Sequence, residues 1–403
     1  MKQVFEGIKI AAFTWSVSGP LTVKYLADHG AEVIRIESSI HPDVLRTYPP
    51  FKDNIAGPDR AGRFANNNAN VYGVTLNLDH PKGVEIAKKI ITWADIVTES
   101  FVPGTMAKWG LDYQKLKKFK PDIIMLSSSN LGQTGPAASQ AGFGTTLVAL
   151  AGFVHLHGWP DREPSPPQNA YTDVIAPPFG AVALIAALLY RRRTGKGQYI
   201  DISQFETATH FLAPLVLDFN VNGRVANRMG NRCSYAAPHG AYPCLEYDRW
   251  CTIAVFNDKE WHSFCSVLDN PGWITDPRFT TFLGRKKNED KLDSLISEWT
   301  RQHPVEEVML RMQSAGIAAG VVRTCEDIHT DRQLVERAFF QEVEHPVIGK
   351  HHYESPGFKL SKSPAEFRFP APCLGQDNEY VYTKILGIPD EEFIELLGEG
   401  VFD

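Results

Sequence analysis

Short apolar runs alternate with longer amphipathic stretches over about the first 200 residues of the chain, an order typical of α/β domains. Compact apolar runs bounded by turn residues predict strands. We expect strands at Lys9–Phe13, Glu32–Glu37, Val74–Leu78, Ile96–Thr98, Asp122–Ser127 and Gln198–Ile202. Helical spacing predicts helices at Leu21–His29, Lys82–Trp93, Tyr113–Lys118, Phe179–Tyr190 and Gln204–Phe219. Because strands joined by helices pair in parallel, the pattern predicts an open parallel sheet with crossover helices.

Three further segments differ from this pattern. His41–Asn70 is polar and rich in Pro, Gly and Asn, which predicts a long functional loop. Residues 225–330 combine a strand at Trp250–Val255 with amphipathic helices, which indicates a smaller α+β domain. Residues 331–403 are rich in loops and short strands and end in a predicted helix at Asp390–Leu397. We therefore place the larger α/β domain in residues 1–224.

A single acidic residue precedes the most apolar predicted helix. Asp173 stands just before Pro177 and Pro178, which suit the first turn of a helix. We therefore place Asp173 in the loop that enters the helix, where the positive end of the helix dipole lowers the pKa of a carboxylate. An ionised, partly desolvated carboxylate can act as a covalent nucleophile. The alternative is that Asp173 only caps the helix.

Composition and charge argue against several classes of protein. The net charge of −6 does not suit a nucleic-acid surface. The six cysteines show no C-x-x-C spacing, and His345, His351 and His352 lack acidic neighbours at ligand spacing. Neither a disulfide framework nor a metal site is therefore expected. The predicted helix Phe179–Tyr190 is too short to span a bilayer, and the N-terminus has no signal-peptide pattern. We expect a cytoplasmic protein with no membrane or nucleic-acid partner.

The β-α-β start of the chain also suggests a dinucleotide-binding domain, but the glycine fingerprint is missing. The first strand is followed by Ser16-Val17-Ser18-Gly19-Pro20 rather than by G-x-G-x-x-G. That fingerprint allows a cofactor pyrophosphate to approach the backbone closely. Its absence disfavours a nicotinamide-dependent enzyme.

Five ordered segments carry a resemblance to a known family. They are GAEVIRIE (Gly30–Glu37), TESFVPGTMAKWGLDY (Thr98–Tyr113), SSSNLGQTGP (Ser127–Pro136), YTDVIAPPFGAVALIAALLYRRRTGKGQYIDIS (Tyr171–Ser203) and PHGAYPC (Pro238–Cys244). Through them the chain resembles the family III CoA-transferases, the formyl-CoA and carnitine CoA-transferase-like superfamily, over nearly its whole length. The resemblance implies an open α/β domain built from both chain ends plus a small domain, so that residues 331–403 complete residues 1–224. It also implies two interlocked chains and Asp173 as the nucleophile that attacks an acyl-CoA thioester. Coenzyme A then enters as a thioester substrate, and no permanently bound cofactor is implied.

The resemblance also assigns a set of CoA contacts, although this chain departs from the family pattern at several of them. The positions are Val17, Ser18, Ser38, Asn68, Asn70, Ser100, Phe101 and Lys108. Where the family often has Lys or Arg, this chain has Ser38 and Asn68-Ala69-Asn70-Val71-Tyr72. Fewer cations weaken the hold on phosphate groups. Arg46, Arg60 and Arg63 are candidates to compensate, and the alternative is that they are solvated loop charges.

The acyl pocket is assigned to Phe143 and Gly144. Backbone N–H groups of Gly142–Gly144 or Met229–Asn231 are candidate oxyanion donors, or they serve only as turns. The aromatic-rich region of Phe143, Phe153, His155, His157 and Trp159 either lines a dry pocket or packs as ordinary core.

Three functions remain open on this resemblance. The first is a CoA-transferase, nearest to the succinyl-CoA:benzylsuccinate CoA-transferases of anaerobic aromatic degradation, with an aromatic or alkyl-substituted succinate as acceptor. The second is an α-methylacyl-CoA racemase-like enzyme, which needs two acid/base groups. Phe143 stands where that relative has a histidine, which argues for transfer. The third is a non-catalytic subunit of a heteromer with a paralogous chain. The assembly itself is either a homodimer or such a heteromer.

Overall fold

The structure is a computed structural model that describes residues 3–140 and 142–403. The strands are β1 (Lys9–Phe13), β2 (Glu32–Glu37), β3 (Tyr72–Thr75), β4 (Ile96–Glu99), β5 (Ile124–Ser129), β6 (Tyr199–Ser203), β7 (His239–Pro243), β8 (Trp250–Ala254), β9 (Ala318–Val321), β10 (Phe340–His345) and β11 (Gly349–Glu354).

The α-helices are α1 (Ser18–Ala27), α2 (Gly62–Asn67), α3 (Pro81–Trp93), α4 (Thr105–Lys108), α5 (Tyr113–Phe119), α6 (Gly144–Leu150), α7 (Phe153–Leu156), α8 (Tyr171–Thr194), α9 (Gln204–Phe211), α10 (Ala213–Asn222), α11 (Asp258–Val267), α12 (Phe282–Lys287), α13 (Glu289–Thr300), α14 (Val305–Ser314), α15 (Cys325–Thr330), α16 (Arg332–Glu336) and α17 (Asp390–Gly398). Short 3₁₀ turns lie at Val44–Arg46, Lys52–Asn54 and Gly272–Thr275, and a π-helix lies at Tyr380–Ile385.

The described chain forms two compact units. The larger unit combines the chain up to Val154 with Pro166–Val225 and Gln333–Asp403. The smaller unit consists of His155–Ser165 and Ala226–Arg332. The segment 155–165, which the sequence grouped with the larger domain, belongs to the smaller unit because the backbone N–H of Gly230 donates to the carbonyl of Gly158 at 3.0 Å.

A parallel sheet forms the centre of the larger unit. Within the described residues it has six strands in the order β3-β2-β1-β4-β5-β6, and every neighbouring pair is parallel. Separate apolar clusters cover its two faces, one beneath α3 and the C-terminal segment and one beneath α1 and α8. The predicted open parallel sheet is therefore confirmed. The strand order reverses between β1 and β4, and in such sheets ligands bind beyond the carboxyl ends of the strands at that point.

The C-terminal segment covers the edge strand β3. The backbone N–H groups of Gly73 and Thr75 donate to the side chains of Asp377 and Asn378 at 2.7 and 2.8 Å. The buried hydroxyl of Tyr382 donates to the carbonyl of Thr75 at 2.7 Å. These bonds occupy backbone groups that an open edge would expose. The larger unit is thus built from both ends of the chain.

Helix α8 is longer than the sequence predicted. It begins at Tyr171 rather than near Phe179, so Pro177 and Pro178 lie inside it and not in its first turn. By length and composition alone, α8 is long and apolar enough to cross a membrane. The expectation that this helix is too short to span a bilayer is therefore wrong. One such helix is weak evidence for a membrane protein, and Leu184 on α8 is fully buried in the core of the larger unit. Cytoplasmic localisation stays a prediction.

The smaller unit has its own core. Its antiparallel sheet has the order β7-β8-β9 and packs against α11, α13 and α14. Residues on the buried sides of these elements, such as Ile253, Phe264 and Ile296, are at most 1% exposed. The unit therefore has the α+β composition expected for residues 225–330.

Two further predicted segments are wrong in detail. His41–Asn70 is not one loop, because it contains two 3₁₀ turns and α2. The buried side chain of Arg46 holds this segment in place. Arg46 is 1% exposed, its guanidinium donates to Glu37 at 2.8 Å, and its Cζ atom lies 3.6 Å from the ring centroid of Phe64. The predicted helix Gln204–Phe219 is divided into α9 and α10, since Pro214 stands in the first turn of α10.

Candidate active site

A cavity of about 510 Å³ lies at the carboxyl ends of β1, β4 and β5. Trp15 and Val17 follow β1, Ser100 and Phe101 follow β4, and Ser129 ends β5, and all of them line it. Among the described lining residues, Asp173 is the one ionisable side chain. The sequence-predicted residues Val17, Ser18, Ser100, Phe101, Phe143, Gly144 and Asp173 therefore meet in one place.

Asp173 lies in the first turn of α8, directly over the first residue of α6. Its backbone N–H donates to the carbonyl of Ala170 at 3.0 Å. The neighbouring hydroxyl of Thr172 donates to the carbonyl of Gly144 at 3.3 Å, which joins the two helix starts. A Cβ atom on Gly144 would stand 2.5 Å from Oδ1 of Asp173 and 2.6 Å from Cβ of Ala170. Only glycine therefore lets the carboxylate occupy this position.

The pKa of Asp173 is raised, not lowered as the sequence predicted. Burial of the carboxyl group is the larger cause, and the positive charge of Arg63 opposes it, which leaves the pKa at about 6. Desolvation therefore outweighs the charge of Arg63. Above about pH 6 the carboxylate is ionised but poorly solvated, which makes it a stronger nucleophile than a solvated one.

Arg63 approaches Asp173 from helix α2. Its guanidinium donates to Oδ1 of Asn169 at 3.5 Å, and the same oxygen accepts the backbone N–H of Ala170 at 2.9 Å. Asn169 thereby connects α2 to the start of α8. This contact keeps the charge of Arg63 beside Asp173 without a salt bridge between them in the described structure.

The loops after β1 and β4 are clamped together. The backbone N–H of Trp15 donates to Oγ of Ser100 at 2.8 Å, and that hydroxyl lies 3.2 Å from the carbonyl of Trp15. Phe101 packs edge-on between Trp15 and Trp109, with ring centroids 6.5 and 5.6 Å apart. This clamp fixes one wall of the cavity.

A second cavity of about 320 Å³ adjoins the first and shares Trp15 and Phe101 with it. The predicted contact residue Ser38 lines it, and its hydroxyl accepts the backbone N–H groups of Ile40 and His41 at 3.2 Å. The lining of this second cavity includes residues at the carboxyl ends of β1, β2 and β3, so both cavities lie at the edge of the sheet where ligands bind.

The remaining predicted contacts lie elsewhere. Asn68 and Asn70 line neither of these two cavities and are each 1% exposed. The amide of Asn68 donates to the carbonyl of Phe64 at 2.9 Å, and that of Asn70 donates to Asp28 at 2.8 Å. Their hydrogen bonds thus hold the fold. Lys108 is exposed at the end of α4 and lines a shallow depression beside the second cavity.

Two of the three arginines that were candidates for binding phosphate groups already pair with acidic side chains of this chain. Arg46 is buried, and its guanidinium pairs with Glu37 and Asp59, so the expectation that it contacts phosphate groups is wrong. Arg60 pairs with Asp53 at 3.0 Å and donates to the carbonyl of Lys52. The partners of Arg46 and Arg60 within the folded chain therefore account for both arginines.

The aromatic-rich region is shared between the two units. Phe143 lines the first cavity and is 69% exposed, and Phe153 stacks on Tyr171 with centroids 6.3 Å apart. His155, His157 and Trp159 belong to the smaller unit, as do Met229–Asn231. In that unit Nδ1 of His157 lies 2.8 Å from the carbonyl of Ser165.

Glu99 is a buried acid next to the cavity residues Ser100 and Phe101 that the sequence analysis did not select. It ends β4, is 4% exposed, and accepts the backbone N–H of Phe101 at 2.8 Å. Burial and the nearby charge of Asp201 raise its pKa to about 7, although a hydrogen bond from Ser127 acts in the opposite direction. Glu99 therefore supports the loop that carries Ser100 and Phe101.

Replacing Glu99 by glutamine is expected to stabilise the protein at pH 8 and to have little effect at pH 4. An acid whose folded-state pKa is raised contributes stability below its unfolded pKa of 4.5, and this contribution is lost as the pH rises through about 7. Glutamine keeps the hydrogen bonds without the charge, so the gain at pH 8 is at most about 3 kcal/mol. Denaturant unfolding at both pH values measures it. An equal effect at both pH values would contradict the raised pKa.

Comparison with known proteins identifies the family. A family model described as CoA-transferase family III matches residues 5–378. The chain belongs to this family. This finding confirms the family and the CoA-transferase activity predicted from the five sequence segments, and the protein is a family III CoA-transferase.

Its relatives cover the whole length of the transferase. It is 29% identical over 396 residues to the succinyl-CoA–D-citramalate CoA-transferase of Chloroflexus aurantiacus, which covers 98% of this chain and 96% of the relative. It is 28% identical over 399 residues to the succinyl-CoA:glutarate CoA-transferase of Homo sapiens (99% and 90%). It is also 28% identical over 399 residues to the succinyl-CoA–L-malate CoA-transferase beta subunit of C. aurantiacus (98% and 97%). The crystal structure of a CAIB/BAIF family protein from Brucella suis matches with a TM-score of 0.88 at 27% identity, covering 96% of this chain and 100% of that one. The fold class is thereby confirmed.

Several polar groups of the transferase's cavity were missed by the sequence analysis. The hydroxyls of Ser128 and Ser129 and Oε1 of Gln204 are buried and have no hydrogen-bond partner within the described residues. Their signal was available, because Ser128 and Ser129 stand at the carboxyl end of a predicted parallel strand, where ligands bind. Unpaired buried polar groups are costly. They are suited to pairing with the polar groups of a bound substrate.

Proposed function

We propose that the transferase moves CoA from succinyl-CoA to a dicarboxylic acid through covalent intermediates on Asp173. The observation that carries this proposal is the position of Asp173: it is the one ionisable group among the described residues of a largely apolar cavity, and its pKa is about 6. Such a carboxylate is ionised at neutral pH yet poorly solvated. It is therefore suited to attack a thioester.

The proposed reaction conserves the thioester energy in four steps. The carboxylate of Asp173 attacks the thioester carbonyl, the C–S bond breaks, and CoA leaves as a thiolate from an acyl-aspartyl anhydride. The thiolate then attacks the aspartyl carbonyl and releases the donor acid as a carboxylate, which leaves an aspartyl-CoA thioester. The acceptor carboxylate attacks this thioester, the C–S bond breaks, and CoA leaves as a thiolate from a second anhydride. The thiolate attacks the acceptor carbonyl, which gives the new acyl-CoA and regenerates Asp173.

Two features support these steps. Each tetrahedral intermediate needs hydrogen-bond donors for its oxyanion, and the first N–H groups of a helix have no partners inside that helix. Gly144 begins α6 directly beneath Asp173, which favours Gly142–Gly144 as the oxyanion donors. Anhydrides hydrolyse in water, so the apolar side chains of Trp15, Val17 and Phe101 serve to exclude it.

We infer that CoA lies along both cavities, with its thioester beside Asp173. Ser38 and the clamp residues Ser100 and Phe101 border this path, which supports their assignment as CoA contacts. The unpartnered hydroxyls of Ser128 and Ser129 suit the amide groups of the pantetheine arm. Lys108 remains the candidate for the phosphate groups at the outer end.

The acceptor is proposed from the relatives. Their names specify transfer from succinyl-CoA to D-citramalate, glutarate or L-malate. Each of these acceptors is a dicarboxylate, and so is the succinate that the donor releases. We propose the same class for this transferase, and the aromatic or alkyl-substituted succinate of the sequence analysis is one member of that class.

The assembly is proposed to be a dimer. Large apolar side chains on α8 and α10 are exposed in the single chain, among them Val182 at 67%, Phe219 at 60% and Val221 at 75%. Large apolar side chains exposed on two helices favour a protein interface there. A second copy or a paralogous subunit is therefore expected to cover it, and the interlocked arrangement stays a prediction. One relative is named as a beta subunit and two are not, so both forms are kept.

The test is a CoA-exchange assay on the purified single chain, with its oligomeric state measured by sedimentation. Succinyl-CoA is supplied with a panel of carboxylic acids, and new thioesters are detected by mass spectrometry. A new dicarboxylyl-CoA is expected. If a folded dimer forms no new thioester, the single-chain transferase is contradicted and a paralogous partner is required. Loss of the α-hydrogen of a 2-methylacyl-CoA to deuterated solvent would instead indicate racemisation.

A further inference from the structure

Arg63 is the cation beside the nucleophile, and no ion pair in the described chain neutralises it. It is partly buried, and its guanidinium is oriented by Asn169 at 3.5 Å. The neighbouring arginines differ in this respect, because Arg46 pairs with Glu37 and Asp59, and Arg60 pairs with Asp53. Arg63 therefore has donors to offer to an anion that enters the site.

A dicarboxylic acid bound in this cavity requires a cation to pair with its second carboxylate. One carboxyl group of a dicarboxylic acid reacts at Asp173, and the other remains ionised. No lining residue of this cavity in the described structure is basic, and Arg63 lies outside the lining, joined through Asn169 to the start of α8. An unpaired carboxylate in an apolar, partly dehydrated space is strongly unfavourable. The distal carboxylate thus needs a positive partner close to, but not in contact with, Asp173.

We propose that Arg63 binds the distal carboxylate of the acyl group and makes the transferase selective for dicarboxylic acids. This inference rests on the proposed transfer at Asp173. Donor and acceptor acids occupy the same position beside Asp173 in successive halves of the reaction. One guanidinium therefore serves both acids, and its planar donors suit a carboxylate.

The inference is tested by isotope exchange between an acyl-CoA and its own labelled acid, which requires no knowledge of the natural acceptor. Succinyl-CoA with labelled succinate is compared with butyryl-CoA with labelled butyrate, because butyrate has a methyl group in place of the distal carboxylate. Wild-type protein is expected to exchange succinate faster. Both exchanges are measured well above the pKa of Asp173, because loss of the Arg63 charge also raises that pKa. Under this condition Arg63→Met is expected to lower kcat/KM for succinate about 10- to 100-fold, the size of a lost charge-assisted hydrogen bond, and to change butyrate exchange little. Arg63→Lys restores part of the succinate exchange.

Arg60→Met is the matched control, since Arg60 stands three residues away and pairs with Asp53. It is expected to alter neither exchange. A fall of both exchanges in Arg63→Met would show a structural role for Arg63 and overturn the inference, as would no change in either. If the wild type exchanges butyrate but not succinate, the inference falls while transfer at Asp173 stands. If the wild type exchanges no acid, the proposed function falls and the inference falls with it.

Discussion

Replacing Asp173 by asparagine is expected to lower CoA transfer by on the order of 10⁴-fold or more, since removal of a covalent nucleophile has effects of this size. An amide cannot form the acyl anhydride, whereas all other contacts of the cavity remain. The rate of new acyl-CoA formation from succinyl-CoA measures the effect. Asp173→Ala gives the same result without the possibility that deamidation restores the acid.

The stability of Asp173→Asn is the control that shows whether the variant is folded. The pKa of Asp173 is raised from 3.8 to about 6, so its contribution to stability is fully present below pH 3.8 and is lost as the pH rises through about 6. The uncharged asparagine avoids this loss. At pH 8 the variant is therefore expected to be more stable than the wild type by about 1–2 kcal/mol, after allowance for partial solvation. Retained transfer in a folded Asp173→Asn protein would remove Asp173 from the reaction.

Replacing Gly144 by alanine is the second change with a large expected effect. The added methyl group would stand 2.5 Å from Oδ1 of Asp173 and 2.6 Å from Cβ of Ala170, so the carboxylate or the first turn of α8 must move. A displacement of about 1 Å in a reacting group costs roughly 100-fold in rate. We expect kcat to fall by about this factor, with a loss of about 1–3 kcal/mol in stability from overpacking.

Gly357→Ala is the matched control, because a Cβ atom at Gly357 has no neighbour within 4 Å. It is expected to leave both kcat and stability close to those of the wild type. Steady-state kinetics and thermal unfolding of the two variants measure the difference. If Gly144→Ala keeps full kcat, the close approach of α6 to Asp173 does not matter for the reaction.

The central sheet could be predicted from the sequence because each strand is marked by the residues of one short segment. β1 reads KIAAF, and β2 reads EVIRIE with four buried positions between two glutamates; the observed bounds of both strands equal the predicted ones. The start of α8 was misplaced, because Pro177 and Pro178 were assigned to its first turn. The bonds that hold the true start, between Thr172 and Gly144 and between Asp173 and Ala170, depend partly on a residue 28 positions away.

The candidate site could be predicted only in part, because burial and side-chain partners depend on the folded chain. Motif resemblance selected Asp173, Phe143 and Gly144, and these three residues line one cavity. The direction of the pKa shift of Asp173 was wrong because burial is a property of the folded chain, whereas the helix dipole is visible in a sequence pattern. Arg46 and Arg63 looked alike in the sequence, and only their partners distinguish a buried arginine paired with Glu37 from a cation beside Asp173.

The most direct test of the account is to find the covalent intermediate. The protein is mixed with succinyl-CoA and no acceptor, quenched in acid and digested, and the peptide that contains Asp173 is examined by mass spectrometry. The account predicts CoA joined to Asp173 as a thioester, and no such adduct in Asp173→Asn. A transferase that turns over while CoA or the acyl group is attached to a different residue, or to none, would contradict it.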